Sequence, residues 1–107
     1  MSNISDRIKV SYAMKDVAEA TEESIKEMVH KNLNMKIDSY LMKYLKTEDS
    51  EWTLDIKIEK NKKGNYNGNF NLQLTGAEVI YKREDFKKVD DLVQHFFERA
   101  KEQLGKK

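Results

Sequence analysis

Residues 52–60, Trp52-Thr53-Leu54-Asp55-Ile56-Lys57-Ile58-Glu59-Lys60, alternate apolar and polar side chains with no break until the final Glu59-Lys60. Successive side chains of a strand point to opposite faces. The stretch therefore reads as a strand with a dry face (Trp52, Leu54, Ile56, Ile58) and a wet one (Thr53, Asp55, Lys57, Glu59). The alternation returns in Phe70, Leu72 and Leu74, whose neighbours Asn69, Asn71, Gln73 and Thr75 are polar. Between the two runs, Lys60-Asn61-Lys62-Lys63-Gly64-Asn65-Tyr66-Asn67-Gly68 reads as a long hairpin tip with two glycines available for positive φ. A tight Thr75-Gly76-Ala77 turn leads to a short third run, Val79, Ile80 and Tyr81.

Downstream the period changes from two to 3.6. Phe86, Val89, Val93, Phe96, Phe97, Ala100 and Leu104 fall on a stripe about 100° wide, which predicts a core-facing helix from Phe86 to Leu104. Asp85 is its expected N-cap and Gly105 its stop. Upstream, Ile8, Val10 and Tyr12 alternate with Arg7, Lys9 and Ser11, as a half-buried first strand should. Ala13 to Ala20 reads as a long link. Thr21, followed by Glu22 and Glu23, is an N-cap signal, with a start near Asp16 as the alternative. In the helix that follows, Leu33, Ile37, Tyr40, Leu41 and Tyr44 share one stripe. Ile25, Met28 and Val29 form another, displaced by about 100°. Curvature, two different neighbours, or a distortion near Asn32 and Asn34 would each account for that offset. The order is β-α-β-β-β-α, and one wet sheet face puts both helices on the other. The fold class is α+β, a two-layer sandwich of four strands and two helices, similar in order to double-stranded-RNA-binding domains.

The chain has 107 residues, one domain's worth, read as a disordered 1–6 followed by a single domain over 7–105. Cysteine is absent, which excludes thiolate metal sites, redox chemistry and disulfides. No apolar run approaches the ~20 residues of a membrane span, and the N-terminus lacks a secretory h-region, so a cytoplasmic location is expected. Proline is also absent, so elements must end on caps and glycines. No nucleophile elbow, phosphate loop or paired-histidine zinc motif occurs, and the two histidines, His30 and His95, lie on different helices. No enzyme activity, cofactor, metal or small-molecule substrate is expected.

Charge is balanced, 20 Lys+Arg against 19 Asp+Glu, so a polyanion must be met by arrangement and not by net charge. Four basic clusters stand out. Lys36, Lys43 and Lys46 lie in the second half of the first helix. Lys60, Lys62 and Lys63 lie at the hairpin. Lys82 and Arg83 lie where the last strand meets the last helix. Lys88, Arg99 and Lys106, with His95, share one azimuth of the closing helix, beside an acidic stripe of Asp91, Glu98 and Glu102. Tyr66, near the hairpin tip, is a candidate for stacking on a base, with a tyrosine that merely covers a sheet edge as the commoner reading. Met35 and Met42, seven apart on the polar side of the first helix, are candidates for an adaptable contact surface, with packing against the sheet edge as the alternative.

Three stretches carry a family resemblance. Lys31-Asn32-Leu33-Asn34-Met35-Lys36-Ile37-Asp38-Ser39-Tyr40-Leu41 resembles the first helix of the ribosome hibernation-promoting factors and their ribosome-associated inhibitor relatives. Leu54-Asp55-Ile56-Lys57-Ile58-Glu59-Lys60 resembles their second strand, and Glu84-Asp85-Phe86-Lys87-Lys88-Val89-Asp90 the opening of their last helix. Lys87 and Lys88 stand where the family has small residues. The resemblance implies a β-α-β-β-β-α domain that binds the small ribosomal subunit, in the channel used by messenger and transfer RNA, and silences idle ribosomes. It implies a short-type member without a dimerisation domain, hence a monomer. A general double-stranded RNA-binding domain and an α+β protein-interaction module are the alternatives. Without proline the Gly-Pro-x-His loop of the former is impossible.

Overall fold

A computed structural model describes residues 8–42, 52–74 and 77–105. The strands are β1 (Ile8–Lys15), β2 (Trp52–Lys60), β3 (Tyr66–Leu74) and β4 (Ala77–Phe86). The helices are α1 (Glu19–Met35), α2 (Asp38–Met42) and α3 (Val89–Gly105). The sheet order is β1-β2-β3-β4. β1 runs parallel to β2, which α1 and α2 make possible by crossing over between them, and the other two pairings are antiparallel. Residues 1–6, Lys43, Lys46, Thr75, Gly76, Lys106 and Lys107 lie outside the described residues.

The alternation in β2 and β3 sets the two layers as read. Trp52, Leu54, Ile56, Ile58, Phe70, Leu72 and Leu74 are buried, in one cluster with Ile25, Val29, Leu33, Ile37, Leu41, Val93, Phe96 and Phe97 from the helices. Phe70 stacks on Phe96 with ring centroids 4.2 Å apart, and Phe97 meets Phe96 edge-on at 4.8 Å. Leu92, absent from the predicted stripe, is fully buried. It sits over Gly68, where a Cβ would lie 2.8 Å from Leu92 Cδ2. Gly68 is therefore a strand residue that lets α3 approach β3. Of the two hairpin glycines only Gly64 has positive φ, 84°.

The first helix is broken. Asn32 O accepts from Lys36 N at 2.9 Å and from Ile37 N, five residues on, at 3.1 Å. Asn32 Nδ2 meanwhile donates to Met28 O at 2.7 Å. Buried Ile25, Val29, Leu33, Ile37 and Leu41 recur every four residues, which on a straight helix would drift about 160° around the axis. One wide, π-type turn absorbs a residue, about 100° of that drift, and keeps Ile37 and Leu41 on the core. Among the three accounts of the displaced stripe, the distortion near Asn32 is the one observed.

Several boundaries differ from expectation. β1 continues to Lys15, so the link to α1 is only Asp16–Ala18, closed by Asp16 at φ 58°. A short acidic side chain tolerates that left-handed conformation. Ala18 and not Thr21 caps α1, without a side-chain bond. β4 is ten residues long and swallows Glu84-Asp85-Phe86, so the closing helix starts at Val89 and not at Phe86. Asp85 is no N-cap. It has φ 60° and sits in a β-bulge, where the register steps from Gly68↔Arg83 to Tyr66↔Phe86.

Candidate nucleic-acid interface

The register draws two of the four basic clusters together at one end of the sheet, joined there by Lys88 from a third. Lys60 lies opposite Tyr66, and Tyr66 opposite Phe86, so the hairpin tip and the β4–α3 corner are neighbours. Lys15, paired with Glu59, reaches the same end because β1 runs parallel to β2. Lys60, Lys62, Lys63, Lys82, Arg83, Lys87 and Lys88 project there, all exposed. Lys15 and Lys87 were not among the site residues expected from sequence. Only the strand pairing, which a linear reading lacks, brings them in.

A polar network ties the two parts into one surface. Asn61 Nδ2 donates to Asp85 Oδ1 at 2.6 Å and to Asn67 Oδ1 at 3.1 Å, and Asp85 N donates to Asn67 Oδ1 at 3.0 Å. Asn61 Oδ1 accepts from Lys63 N and Asn65 N, both at 3.0 Å, which closes the tip around Gly64. Lys63 Nζ stands 3.7 Å from Asp85 Oδ2. The bulge thus turns Asp85 toward the hairpin, and the hairpin is held by side chains that its own strands supply. A net of several bonds, each worth about 1 kcal/mol or less where water competes, fixes the lysines' backbone positions.

Along β4, Arg83 lies over the Tyr81 ring, its guanidinium 4.9 Å from the centroid, and Arg83 Nε donates to Tyr81 Oη at 3.1 Å. This leaves the guanidinium a second, outward side for a planar anion. The expected stripe on the closing helix is incomplete. Lys88 precedes α3 and supplies the carbonyl for its first helical bond, from Leu92 N at 3.3 Å. His95 packs against Phe86, ring centroids 5.2 Å apart, and Arg99 pairs with Glu102 at 3.6 Å. Tyr66, the candidate for base stacking, is half-buried at the start of β3 and packs against the core, which is the commoner of its two readings.

Lys36 belongs to a separate surface. Its Nζ reaches Glu98 Oε1 on α3 at 3.0 Å. That hydrogen bond, then the lysine's charge, holds the Glu98 carboxyl below the usual carboxylate range. Lys36 lines a groove of about 520 Å³ between α1 and α3 with Lys31, Lys101 and Met35. Met35 is 73% exposed and so does not pack against the sheet edge, while Met42's side chain lies outside the described residues. Lys31 and Lys101 were missed in the sequence, since each alone reads as a solvated helix position.

Among the described residues, no group of three or more His, Cys, Asp or Glu side chains is placed to hold a metal, and no helix is long and apolar enough to cross a membrane. No family model matches the chain, and no curated protein does. Among solved structures it is similar to the N-terminal domain of Thermus thermophilus Protein Y, with a TM-score of 0.55 at 12% identity. The match covers 90% of this chain and 94% of that one. At that identity the likeness is one of fold.

Proposed function

We propose that this chain is a non-enzymatic, ribosome-binding inhibitor of translation that seats its lysine-rich end on RNA of the small ribosomal subunit, inside the channel used by messenger and transfer RNA. The observation that carries the reading is the merging of hairpin and β4–α3 lysines into one braced surface. A chain of net charge +1 gains a strongly basic face only by such placement. The resemblance to hibernation-promoting factors adds support, because the architecture it implies is the architecture found, and the Protein Y domain shares it.

The mechanism is steric. Lys60, Lys62, Lys82 and Lys88, which make no ion pair among the described residues, meet phosphates as point charges. Arg83, oriented by Tyr81, takes a phosphate with its planar fork. Lys63, Lys36 and Arg99 contribute less, because Asp85, Glu98 and Glu102 already neutralise them. Lys43, Lys46 and Lys106 belong to the same reading from outside the described residues. The packed two-layer body then blocks the channel to other RNA. Nothing in this requires bond chemistry.

The test is co-pelleting with purified small subunits across a salt series. Each phosphate contact contributes about 0.7 to 0.9 to the slope of log affinity against log salt. Replacing Lys62, Lys82 and Lys88 with alanine should reduce that slope by about 2. Failure of the unmodified chain to pellet at low salt refutes the reading. An unchanged slope in the triple variant moves the contact to the α1–α3 groove.

A further inference from the structure

Among the described residues β4 is a terminal strand of the sheet, so one of its edges carries backbone donors and acceptors that no described strand pairs. Its centre exposes Ile80, 65% accessible, on the open face. Such edges are commonly protected by charges, and Glu78 and Lys82 flank Ile80 on the same face. Here, however, the two charges have opposite sign and equal spacing from Ile80. From that juxtaposition we infer that β4 is a self-pairing edge, which joins a second copy of this chain antiparallel about a two-fold axis at Ile80.

The register follows from three observations. The two-fold places Ile80 against Ile80 of the second copy, Glu78 against its Lys82, and Lys82 against its Glu78. Opposite charges directly across an antiparallel pair are favourable, and like charges are not. The bulge at Asp85 ends the regular ladder beyond Arg83, leaving Ala77–Arg83, whose midpoint is Ile80. The other free edge, β1, lacks this symmetry. Centred on Tyr12, it would set Lys9 against Lys15 of the copy, which repel.

The helical layer accommodates the pairing. α3 touches both β3, through Phe70–Phe96, and β4, through Tyr81–Phe96, so it lies between them. With strands about 4.8 Å apart, the two α3 helices would then stand about 10 Å apart, an ordinary packing distance. A groove of about 250 Å³ between β4 and α3, lined by Ile80, Arg99 and Gln103, faces this seam. Arg99 brings Glu102 with it, so the seam carries both signs. Gln73, directly across from Glu78 on β3, donates from Nε2 to Glu78 Oε2 at 3.1 Å, so the pairing uses the other carboxylate oxygen, which can turn toward Lys82 of the second copy. The pairing departs from the monomer expected from sequence. It also withdraws Lys82 from the RNA-facing set, so the two uses exclude one another at that residue.

Sedimentation velocity on the whole chain, from micromolar to about 1 mM, tests the register by charge exchange. The unmodified chain should gain mass with concentration. Glu78→Lys and Lys82→Glu should each weaken association about tenfold or more, since each sets two like-charged pairs opposite. Mixing the two variants should restore it. One copy then presents lysine at both positions and the other glutamate at both, so every pair across the seam is again of opposite sign. Circular dichroism establishes that each variant is folded. If either is not, Ile80→Lys, which removes no hydrogen bond, must weaken association instead. A monomer at every concentration overturns the inference, as do single exchanges that associate like the unmodified chain, or a mixture that fails to recover.

Discussion

Gly68→Ala is the sharpest probe of how the helical layer is seated. The added Cβ would stand 2.8 Å from Leu92 Cδ2 and 3.0 Å from Phe70 Cε2. Carbon atoms rest at about 3.5–4.0 Å, so something must yield by roughly 0.7 Å. Leu92 is fully buried, and Phe70 is stacked on Phe96 at 4.2 Å, so neither end is free to swing away. Overpacking of this kind costs about 1–3 kcal/mol. Against it, replacing a strand glycine whose φ is ordinary recovers about 0.5–1 kcal/mol of chain entropy. The net expectation is a loss of about 1 kcal/mol. Urea denaturation should read it as a fall in midpoint of several tenths of a molar to about 1 M, with unchanged slope. Leu92→Ala alone should cost about 2–5 kcal/mol. In the double variant the new methyl fills part of the space that Leu92 vacated, so the two losses should undershoot their sum by about 1–2 kcal/mol. Strict additivity, or a Gly68→Ala variant more stable than its parent, would refute the seating of α3 on this glycine.

Two further outcomes follow from the faces of the sheet and from Tyr12. Leu72→Asp buries an unpaired carboxylate and should unfold the domain in thermal melts. Asn71→Asp, on the opposite face, should cost less, about 1–3 kcal/mol, because Asn71 Oδ1 is buried without a partner and the new carboxylate lies directly across from Asp55. Unfolding by Asn71→Asp as well as by Leu72→Asp would contradict the face assignment. Burial pushes the Tyr12 hydroxyl up to about 12 from its usual 10.0. The folded state then holds a proton that the unfolded state releases, so stability is full below pH 10 and declines as pH rises toward 12. Ultraviolet tyrosinate titration should show one tyrosine ionising late, and a Tyr12→Phe variant should lose that part of the alkaline destabilisation.

The strand alternation was legible because burial on one face leaves no other pattern: every inward residue of β2 is fully or almost fully buried. The wide turn at Asn32 was legible only as a phase error, since a 100° offset between stripes has several geometric causes and one hydrogen bond decides among them. The start of α3 was misread because Glu84-Asp85-Phe86 carries both an N-cap signal and a helical phase. What overrode them was nonlocal: Asp85 N finds Asn67 Oδ1, and Tyr66 across the ladder claims Phe86. A linear reading has no access to a partner eighteen residues away. The same limit hid Lys15, Lys31, Lys87 and Lys101, whose significance is wholly in their neighbours.

Charge shows most plainly how placement outweighs count. Carboxylates and cations are nearly equal in number, yet they are not mixed evenly. Glu98 and Glu102 are spent on Lys36 and Arg99 along the helices. At the hairpin end only Asp85 does the same among the described residues, and it holds Lys63 alone. The remaining lysines there keep their charge for a partner. Asp85 also accepts from Asn61, and Glu59 joins the same network by accepting from Asn67 Nδ2 at 3.3 Å, so Asp85 braces the tip more than it neutralises it. Removing that acid would therefore raise the local positive potential and loosen the surface that presents it. The two effects oppose one another in RNA binding: Asp85→Asn keeps the hydrogen-bond acceptor and drops the charge, so it should tighten binding, whereas Asp85→Ala removes both. Affinities ranked Asn above the unmodified chain, and the unmodified chain above or equal to Ala, are what a braced basic surface requires. If Ala bound as tightly as Asn, charge alone would matter and the bracing network would be irrelevant to function.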